Sequence, residues 1–202
     1  MKETLVGRTR WRKFAMAIVP ATAAAAVMVM GMSNGAIASS FAVSGERFQI
    51  SADEMVVNGF AQYGDIKAES NGTPHPVAVA AAKTATVKGM CQSVVTDTHT
   101  PLGFVTMQIH AGGGANPVEA TDLFLAMDSL QGDAVFEGID IGIDAGTMTK
   151  GAGPGRAGAF GQQATKATLT NVKQKAWATN AGTFKLTGMN LSVELGNKPC
   201  FQ

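Results

Sequence analysis

Residues 48–63, FQISADEMVVNGFAQY, contain the pattern that decides the fold. Apolar and polar residues alternate at the start of this stretch, which is typical of a half-buried β-strand. The tetrapeptide Val57-Asn58-Gly59-Phe60 then places a polar residue and a glycine between two apolar residues. Because glycine tolerates a positive φ, this unit predicts a tight reversal or a kink within β structure.

The same four-residue unit recurs along the chain, with Gly or Asn always in third place. Its other copies are Val87-Lys88-Gly89-Met90, Phe136-Glu137-Gly138-Ile139, Leu169-Thr170-Asn171-Val172 and Leu186-Thr187-Gly188-Met189. Two architectures use such a unit: a two-residue hairpin in an antiparallel sheet, or a corner in a coiled or folded-over sheet. The uneven spacing argues against a strict solenoid. We therefore predict an all-β, single-domain fold with a curved or folded-over sheet, solenoid-like or sandwich in form.

Outside these units the chain contains two segments rich in turn-forming residues. Residues 64–76 are polar and end in Thr73-Pro74-His75-Pro76, so we expect a loop there. Residues 146–163 are rich in glycine and are also expected to form a loop. The alternating strands between these segments fit one domain over residues 39–202, which is long enough for its own core.

The N-terminus has the pattern of an export signal. Five basic residues and one acid precede a long apolar run, Phe14–Met32, which predicts an apolar export helix. Ala36-Ile37-Ala38 follows a polar break and matches a signal peptidase site, so we expect cleavage between Ala38 and Ser39. The alternative is that residues 1–38 stay attached as a membrane anchor. Either way, residues 39–202 are predicted to be extracytoplasmic, secreted or held at the outer face of the cytoplasmic membrane.

The two cysteines, Cys91 and Cys200, both follow the export segment. In an oxidising compartment such a pair is most simply a disulfide, which here would tie the C-terminus to the body of the domain. The alternative is two buried free thiols. The formal net charge of +1 and the absence of a basic stripe argue against a nucleic-acid partner.

No catalytic constellation is evident. The candidate bases His75, His99 and His110 lie in a proline-flanked loop, a Thr-rich turn and a strand end, and no serine nucleophile elbow accompanies them. A G-x-S-x-G match at residues 31–35 falls in the export segment, where no strand precedes it. These patterns predict no catalytic residues.

Cofactor and metal sites are not expected either. Residues 153–158 match G-x-G-x-x-G, but Pro154 interrupts the motif and no helix follows, so we interpret it as an exposed loop. Asp140 and Asp144 share a strand pattern but are separated by about 13 Å in an extended chain. A solvated acidic face therefore accounts for them better than a calcium site.

Several segments together resemble an actinobacterial family of small exported proteins, domain-of-unknown-function family 6230. They include RWRKFAM at 10–16, SFAVSGERF, HPVAVA, GMCQSVVTD, IDIGIDA, KQKAWATNAGTFKLTG and the closing Cys200-Phe201. The similarity covers nearly the whole chain. It implies an envelope location and a single domain, and it supplies no activity or functional residues. Some members of the family bear the automatic label cholesterol esterase, which no residue of this chain supports.

We therefore expect a non-enzymatic protein of the cell envelope that is structural or binds partners. The abundant small-aliphatic β surface favours an apolar ligand such as a lipid as one partner, with the membrane as another during export or anchoring. Four residues are candidates for lining an apolar groove: Trp177, Phe184, Met189 and Leu191. The alternatives are a secreted lipid ester hydrolase and a self-assembling surface subunit that pairs through sheet edges.

Overall fold

A computed structural model describes residues 45–69 and 71–202, which belong to one compact unit. The export segment, the Ala38–Ser39 site and the G-x-S-x-G match lie outside the described residues. In the described part, nine strands form one antiparallel sheet. They are β1 Phe48–Ala68, β2 Pro74–Lys88, β3 Met90–Asp97, β4 Phe104–Ala111, β5 Val118–Glu137, β6 Asp140–Asp144, β7 Phe160–Asn180, β8 Thr183–Lys185 and β9 Asn190–Leu195. Residues 45–69 and 71–202 contain no helix long and apolar enough to cross a membrane.

Consecutive strands join into four long ribbons that bend without reversing. β2 and β3 keep a single register against β1, from Glu54↔Lys88 on one side of Gly89 to Ser51↔Cys91 on the other. β5 and β6 likewise run together along β7, and β7 and β8 run together along β5. The ribbons are therefore β1, β2–β3, β4–β5–β6 and β7–β8–β9.

The four ribbons close on themselves. β1 pairs with both β2 and β7, and β5 also pairs with both β2 and β7. These four pairings form a closed ring, β1–β2–β5–β7, whose interior is the main core. The sequence prediction of an all-β fold is confirmed, and the sheet is closed rather than stacked as two separate layers.

The five repeated units are corners of this sheet. Their third residues, Gly59, Gly89, Gly138, Asn171 and Gly188, all have positive φ, between 54° and 67°. All lie inside a strand or between two strands that continue along the same ribbon. The hairpin alternative is therefore wrong for these units, and the corner interpretation is correct.

At a corner, the side chains that point to the ring interior shift along the chain by one residue. In β1 the positions buried in the main core are 50 and 52, then 55 and 57 after Asp53, then 60 after Gly59. A flat strand would keep strict alternation, because successive side chains point to opposite faces. The spacing of two, three, two and three residues keeps apolar side chains inside the ring around both bends.

The outer face of the ring is covered in part by the segment between β6 and β7. Ala145 and Met148 of this segment pack on Ala61 and Ala81 of the ring. A Cβ at Gly151 would collide with Ala61, and a Cβ at Gly155 would come within 2.6 Å of the Tyr63 ring. The glycines of residues 146–163 therefore allow a close-packed cover, whereas the sequence suggested a plain loop.

The predicted loop at residues 64–76 is mostly strand. β1 extends to Ala68 and β2 begins at Pro74, with Lys67 opposite His75. A short turn joins them, in which the Gly72 N–H donates to the Glu69 carbonyl at 2.9 Å. Prolines are tolerated in this ribbon because its tip has pairing partners on one side only.

Candidate functional site

The sheet continues beyond the closed ring as three strands, β3, β4 and β9, in that order. On one face of this extension, apolar residues of β4 lie opposite apolar residues of β9. The pairs are Val105↔Leu195, Met107↔Val193 and Ile109↔Leu191. We call these six residues the apolar wing.

The apolar wing is solvent-exposed although it is continuous with the core. Ile109 packs against the main core, and Met107 lies opposite Val94, which in turn lies opposite the core-packed Phe48. Exposure rises toward the edge, to 52% for Leu191, 60% for Val193 and 61% for Leu195. Contiguous exposed apolar side chains of this kind mark interaction surfaces.

The opposite face of the same three strands is polar and is covered by the chain's own C-terminal tail. Thr106 of β4 donates to the Gly196 carbonyl at 2.6 Å and accepts from the Lys198 N–H at 3.0 Å. Ser93 of β3 accepts from the Cys200 N–H at 2.9 Å, and both hydroxyl residues are almost fully buried.

The Cys91–Cys200 disulfide fixes this tail, with Cα atoms 6.0 Å apart across 109 positions of sequence. The Phe201 N–H continues the attachment by donating to Gln49 Oε1 at 3.3 Å. The predicted disulfide is therefore present. The disulfide helps to hold the tail over the polar face, whereas Leu191, Val193 and Leu195 on the apolar face are more than half exposed in the described structure.

β9 is also an edge strand, so its backbone presents hydrogen-bonding groups as well as apolar side chains. The Gly196 N–H donates to the Phe104 carbonyl at 2.7 Å, in register with the pairs of β4 and β9. In an antiparallel pair, residues alternate between facing the partner strand and facing away. The N–H and C=O groups of Leu191, Val193 and Leu195 therefore point to the open side.

The four residues predicted to line an apolar groove do not form one site. Leu191 belongs to the apolar wing, and Met189 precedes it with 53% exposure. Phe184 lies in β8 opposite Ala120 and is 38% exposed. Trp177 lies elsewhere, on the outer face of the ring, where it packs with Val77 and Val79.

Trp177 contacts two polar side chains. The His75 ring stacks on it with centroids 3.8 Å apart, and Arg47 Cζ lies 5.6 Å from its centroid. Arg47 also pairs with Asp128 at 3.0 Å. The indole borders an open groove of about 600 Å³, but its ring already stacks with His75 and lies near the Arg47 guanidinium.

The ring interior contains a cavity of about 40 Å³ lined by apolar side chains, among them Met55, Phe60, Leu125 and Met127. Pockets for drug-sized ligands span roughly 300–1,000 Å³, so this cavity does not hold a lipid molecule. It has one polar feature. Gln174 lines it, is only 2% exposed, and its Nε2 has no hydrogen-bond partner within the described structure.

The three histidines are engaged by partners other than a serine hydroxyl. His75 Nε2 lies 2.7 Å from Glu69 Oε1, and His99 Nδ1 lies 3.4 Å from Asp97 Oδ2. His110 Nε2 lies 3.9 Å from Cys91 Sγ, which is part of the disulfide. The described residues therefore do not assemble the nucleophile and base that an ester hydrolase needs.

Asp140 has a structural role that sequence reasoning missed. Its Oδ2 accepts from Lys150 Nζ at 2.8 Å and from Gln163 Nε2 at 3.0 Å. These hydrogen bonds, with the Lys150 one dominant, hold the pKa of Asp140 below its ordinary value. Gln163 Oε1 also accepts from the Thr149 and Lys150 N–H groups.

Asp144 anchors the far side of the same cover. Its Oδ1 accepts from the N–H groups of Gly146 and Gly158, at 2.8 and 2.9 Å. Gly158 is the last residue of the G-x-G-x-x-G match. Its hydrogen bond to Asp144 therefore attaches the segment between β6 and β7 to the end of β6. Both aspartates are at least partly solvent-exposed, in agreement with the solvated-face interpretation, and in addition they accept these hydrogen bonds. Residues 45–69 and 71–202 contain no group of three or more metal-ligating side chains.

Comparison with known proteins gives one match. The model of one protein family covers residues 44–201, and its description is "Family of unknown function (DUF6230)". No curated protein and no solved structure matches the chain. The function must therefore be argued from the residues themselves.

Proposed function

Because this chain belongs to DUF6230, a family of unknown function, we propose its role from its own surface: a non-enzymatic binding protein of the cell envelope. The binding surface is the apolar wing together with the open edge of β9. Its partner is a protein that adds an extended strand to this edge. Strand addition of this kind gains affinity from backbone hydrogen bonds and specificity from alternate side chains.

The contrast between the two faces of the wing carries this proposal. The tail, the disulfide and the buried hydroxyls of Ser93 and Thr106 cover the polar face. The apolar face has no such cover in the described chain, and Val193 and Leu195 are 60% and 61% exposed. A chain that covers its polar face and exposes its apolar face gains most from a partner on the apolar side.

An extracytoplasmic location is part of the proposal. Residues 1–38 have the export pattern, with cleavage before Ser39 or retention as an anchor. The Cys91–Cys200 disulfide supports an oxidising compartment. The partner strand would then come from another protein at or outside the cytoplasmic membrane.

A photo-crosslinking residue placed in the exported protein tests this function. Replacing Val193 with benzoyl-phenylalanine puts the probe on the apolar wing. Replacing Val135, which is 64% exposed on β5, gives a matched control away from it. We expect protein adducts from position 193 in intact cells and few from position 135. Equal labelling at both positions, or adducts with lipid alone, would overturn the proposal.

A second candidate function is suggested by the ring cavity. The orphan Gln174 Nε2 offers its N–H donors to a single polar atom in an otherwise apolar space of about 40 Å³. This geometry favours a small apolar molecule with one acceptor atom over a whole lipid. A thermal-shift screen with short-chain alcohols and ketones tests it: ligands of this class should stabilise the protein, and should lose that effect in Gln174→Leu.

A further inference from the structure

We propose that the strand added to β9 is β9 of a second copy of this chain, in an antiparallel pair around a two-fold axis at Val193. This inference rests on the proposed function, because it names the partner of the same edge. In this pair Val193 faces its own copy, and Leu191 faces Leu195 of the partner subunit.

The backbone of β9 limits the register of such a pair. Only Leu191, Val193 and Leu195 direct N–H and C=O groups outward, since the even-numbered residues face β4. Hydrogen-bonded pairs must therefore join odd-numbered residues of both copies. Centring on Val193 uses all three and gives about six backbone hydrogen bonds.

The side chains of β9 complement their own copy in this register. The segment from Leu191 to Leu195 reads apolar, polar, apolar, polar, apolar in both directions, so apolar residues meet apolar residues across the axis. Glu194 then lies opposite Ser192 of the partner subunit, which can donate a hydrogen bond. A shift that centred on Glu194 would set two carboxylates directly opposite each other, which is unfavourable.

Glu194 already has a cation on its own chain. Lys198 Nζ lies 2.6 Å from Glu194 Oε2, which also holds the pKa of this carboxyl below its ordinary value. The edge therefore carries a charge that is paired within each copy. Two copies can approach without bringing unpaired like charges together.

The other long edge of the described sheet is less suited to pairing. It consists of the second half of β5, which pairs only with β7, and of β6. The register is interrupted between Gln131 and Asp133 and again between Ile141 and Ile143, where Gly142 has a φ of 81°. Bulges of this kind protect an edge from strand addition. β9 has no bulge, no proline and no positive φ.

Cysteine cross-linking of the purified, exported protein tests the register. Val193→Cys should form a covalent dimer on mild oxidation, because equivalent Cα atoms in an antiparallel pair lie about 5.5 Å apart, within disulfide reach. Leu191→Cys and Leu195→Cys should each cross-link roughly tenfold less alone, because each cysteine then lies about 13 Å from its copy. Mixing these two variants should restore the cross-link. Mass spectrometry should show Cys91 still joined to Cys200 in every sample.

Other outcomes separate this inference from the proposed function. Efficient cross-linking of Leu191→Cys or Leu195→Cys alone overturns the register. An absence of any dimer, with a constant monomer in sedimentation velocity up to high concentration, overturns the second copy as partner. If position 193 still gives photo-adducts with another protein, the proposed function stands without this inference; if it gives none, both fail.

Dimerisation can also be tested without cysteine. Val193→Lys places two like charges across the axis while keeping an exposed position that the fold tolerates, and should weaken self-association at least roughly tenfold. Val135→Lys, on the bulged edge, is the matched control and should leave sedimentation unchanged. Equal behaviour of the two variants and the parent would contradict the inference.

Discussion

Two corner glycines, Gly59 and Gly188, provide a direct test of how the sheet bends. Their φ angles are 67° and 66°, so an alanine at either position suffers the same backbone strain. Their surroundings differ. A Cβ at Gly188 would meet nothing within 4 Å, whereas a Cβ at Gly59 would lie 2.6 Å from the Lys150 carbonyl oxygen and 2.9 Å from the Lys83 side chain.

The expected losses of stability follow from the backbone strain at each corner and from the space around the added Cβ. The left-handed conformation costs a non-glycine residue about 1–2 kcal/mol, and the stiffer unfolded chain returns about 0.4–1 kcal/mol. Gly188→Ala should therefore lower the free energy of unfolding by about 0–1.6 kcal/mol, with a central value of about 0.8 kcal/mol. Gly59→Ala adds a collision with a backbone oxygen that no rotamer relieves, and overpacking of this kind costs about 1–3 kcal/mol more.

Urea unfolding of the oxidised protein, followed by tryptophan fluorescence, measures both values. The midpoints should fall in the order parent, Gly188→Ala, Gly59→Ala, with similar slopes against urea. Gly188→Asn is a useful third variant, because asparagine tolerates positive φ and Asn171 occupies an equivalent corner at 54°. The Gly188→Asn variant should lose less unfolding free energy than Gly188→Ala. Equal losses at positions 59 and 188 would refute the packing argument, and losses near zero at both would refute the corner geometry.

Three further predictions concern other parts of the chain. Cys91→Ser with Cys200→Ser should lower the unfolding free energy by about 4–5 kcal/mol, since the disulfide closes a loop of 109 positions; a loss below about 1 kcal/mol in urea would contradict this. Lys150→Met should raise the pKa of Asp140 toward its ordinary value in an NMR titration. Because that pKa is lowered in the fold, the ion pair stabilises above the ordinary pKa and its contribution disappears as pH falls through the lowered value; an unchanged titration would contradict the pairing. Gln174→Leu should stabilise the protein by about 1–3 kcal/mol in the same urea assay, because it removes a buried donor without a partner; a loss of stability would contradict this.

The corners could be predicted from sequence because their cause is local. Gly or Asn in the third position of each unit permits the positive φ that the bend requires, and the five units all have it. Asp122 has a φ of 48° and was missed. Aspartate visits this conformation less often than glycine, and Asp122 has no apolar-polar-Gly-apolar context to mark it.

The inward-facing positions could be predicted only between corners. Strict alternation fits residues 48–52 but fails over the next bend, where the buried positions move from 52 to 55. Trp177 does follow alternation once one position of β7 is assigned. Val172, Gln174 and Ala176 are buried inside the ring, so Trp177 lies on the outer face, at a point where the register against β5 shifts.

The structural aspartates escaped sequence reasoning because their partners are distant. Asp140 is held by Gln163, which lies 23 positions away on the neighbouring ribbon. Nothing in the pattern around residue 140 distinguishes such an anchor from a solvated carboxylate. A topology that places β6 against β7 is needed to bring the two side chains together.

At the apolar wing, the burial predicted from the sequence differs from the exposure seen in the structure. The alternation of Leu191, Val193 and Leu195 predicts a half-buried strand, and in the single chain all three are more than half exposed. The ribbon repeats the core pattern after its last corner at Gly188, but the closed ring has ended there. Within residues 45–69 and 71–202 no ribbon lies over its apolar face. Polar side chains at these three positions would leave the fold of one copy unchanged, since they contribute little to its core. The apolar alternation is therefore explained best by a pairing outside the single chain, in which a second β9 completes the sheet.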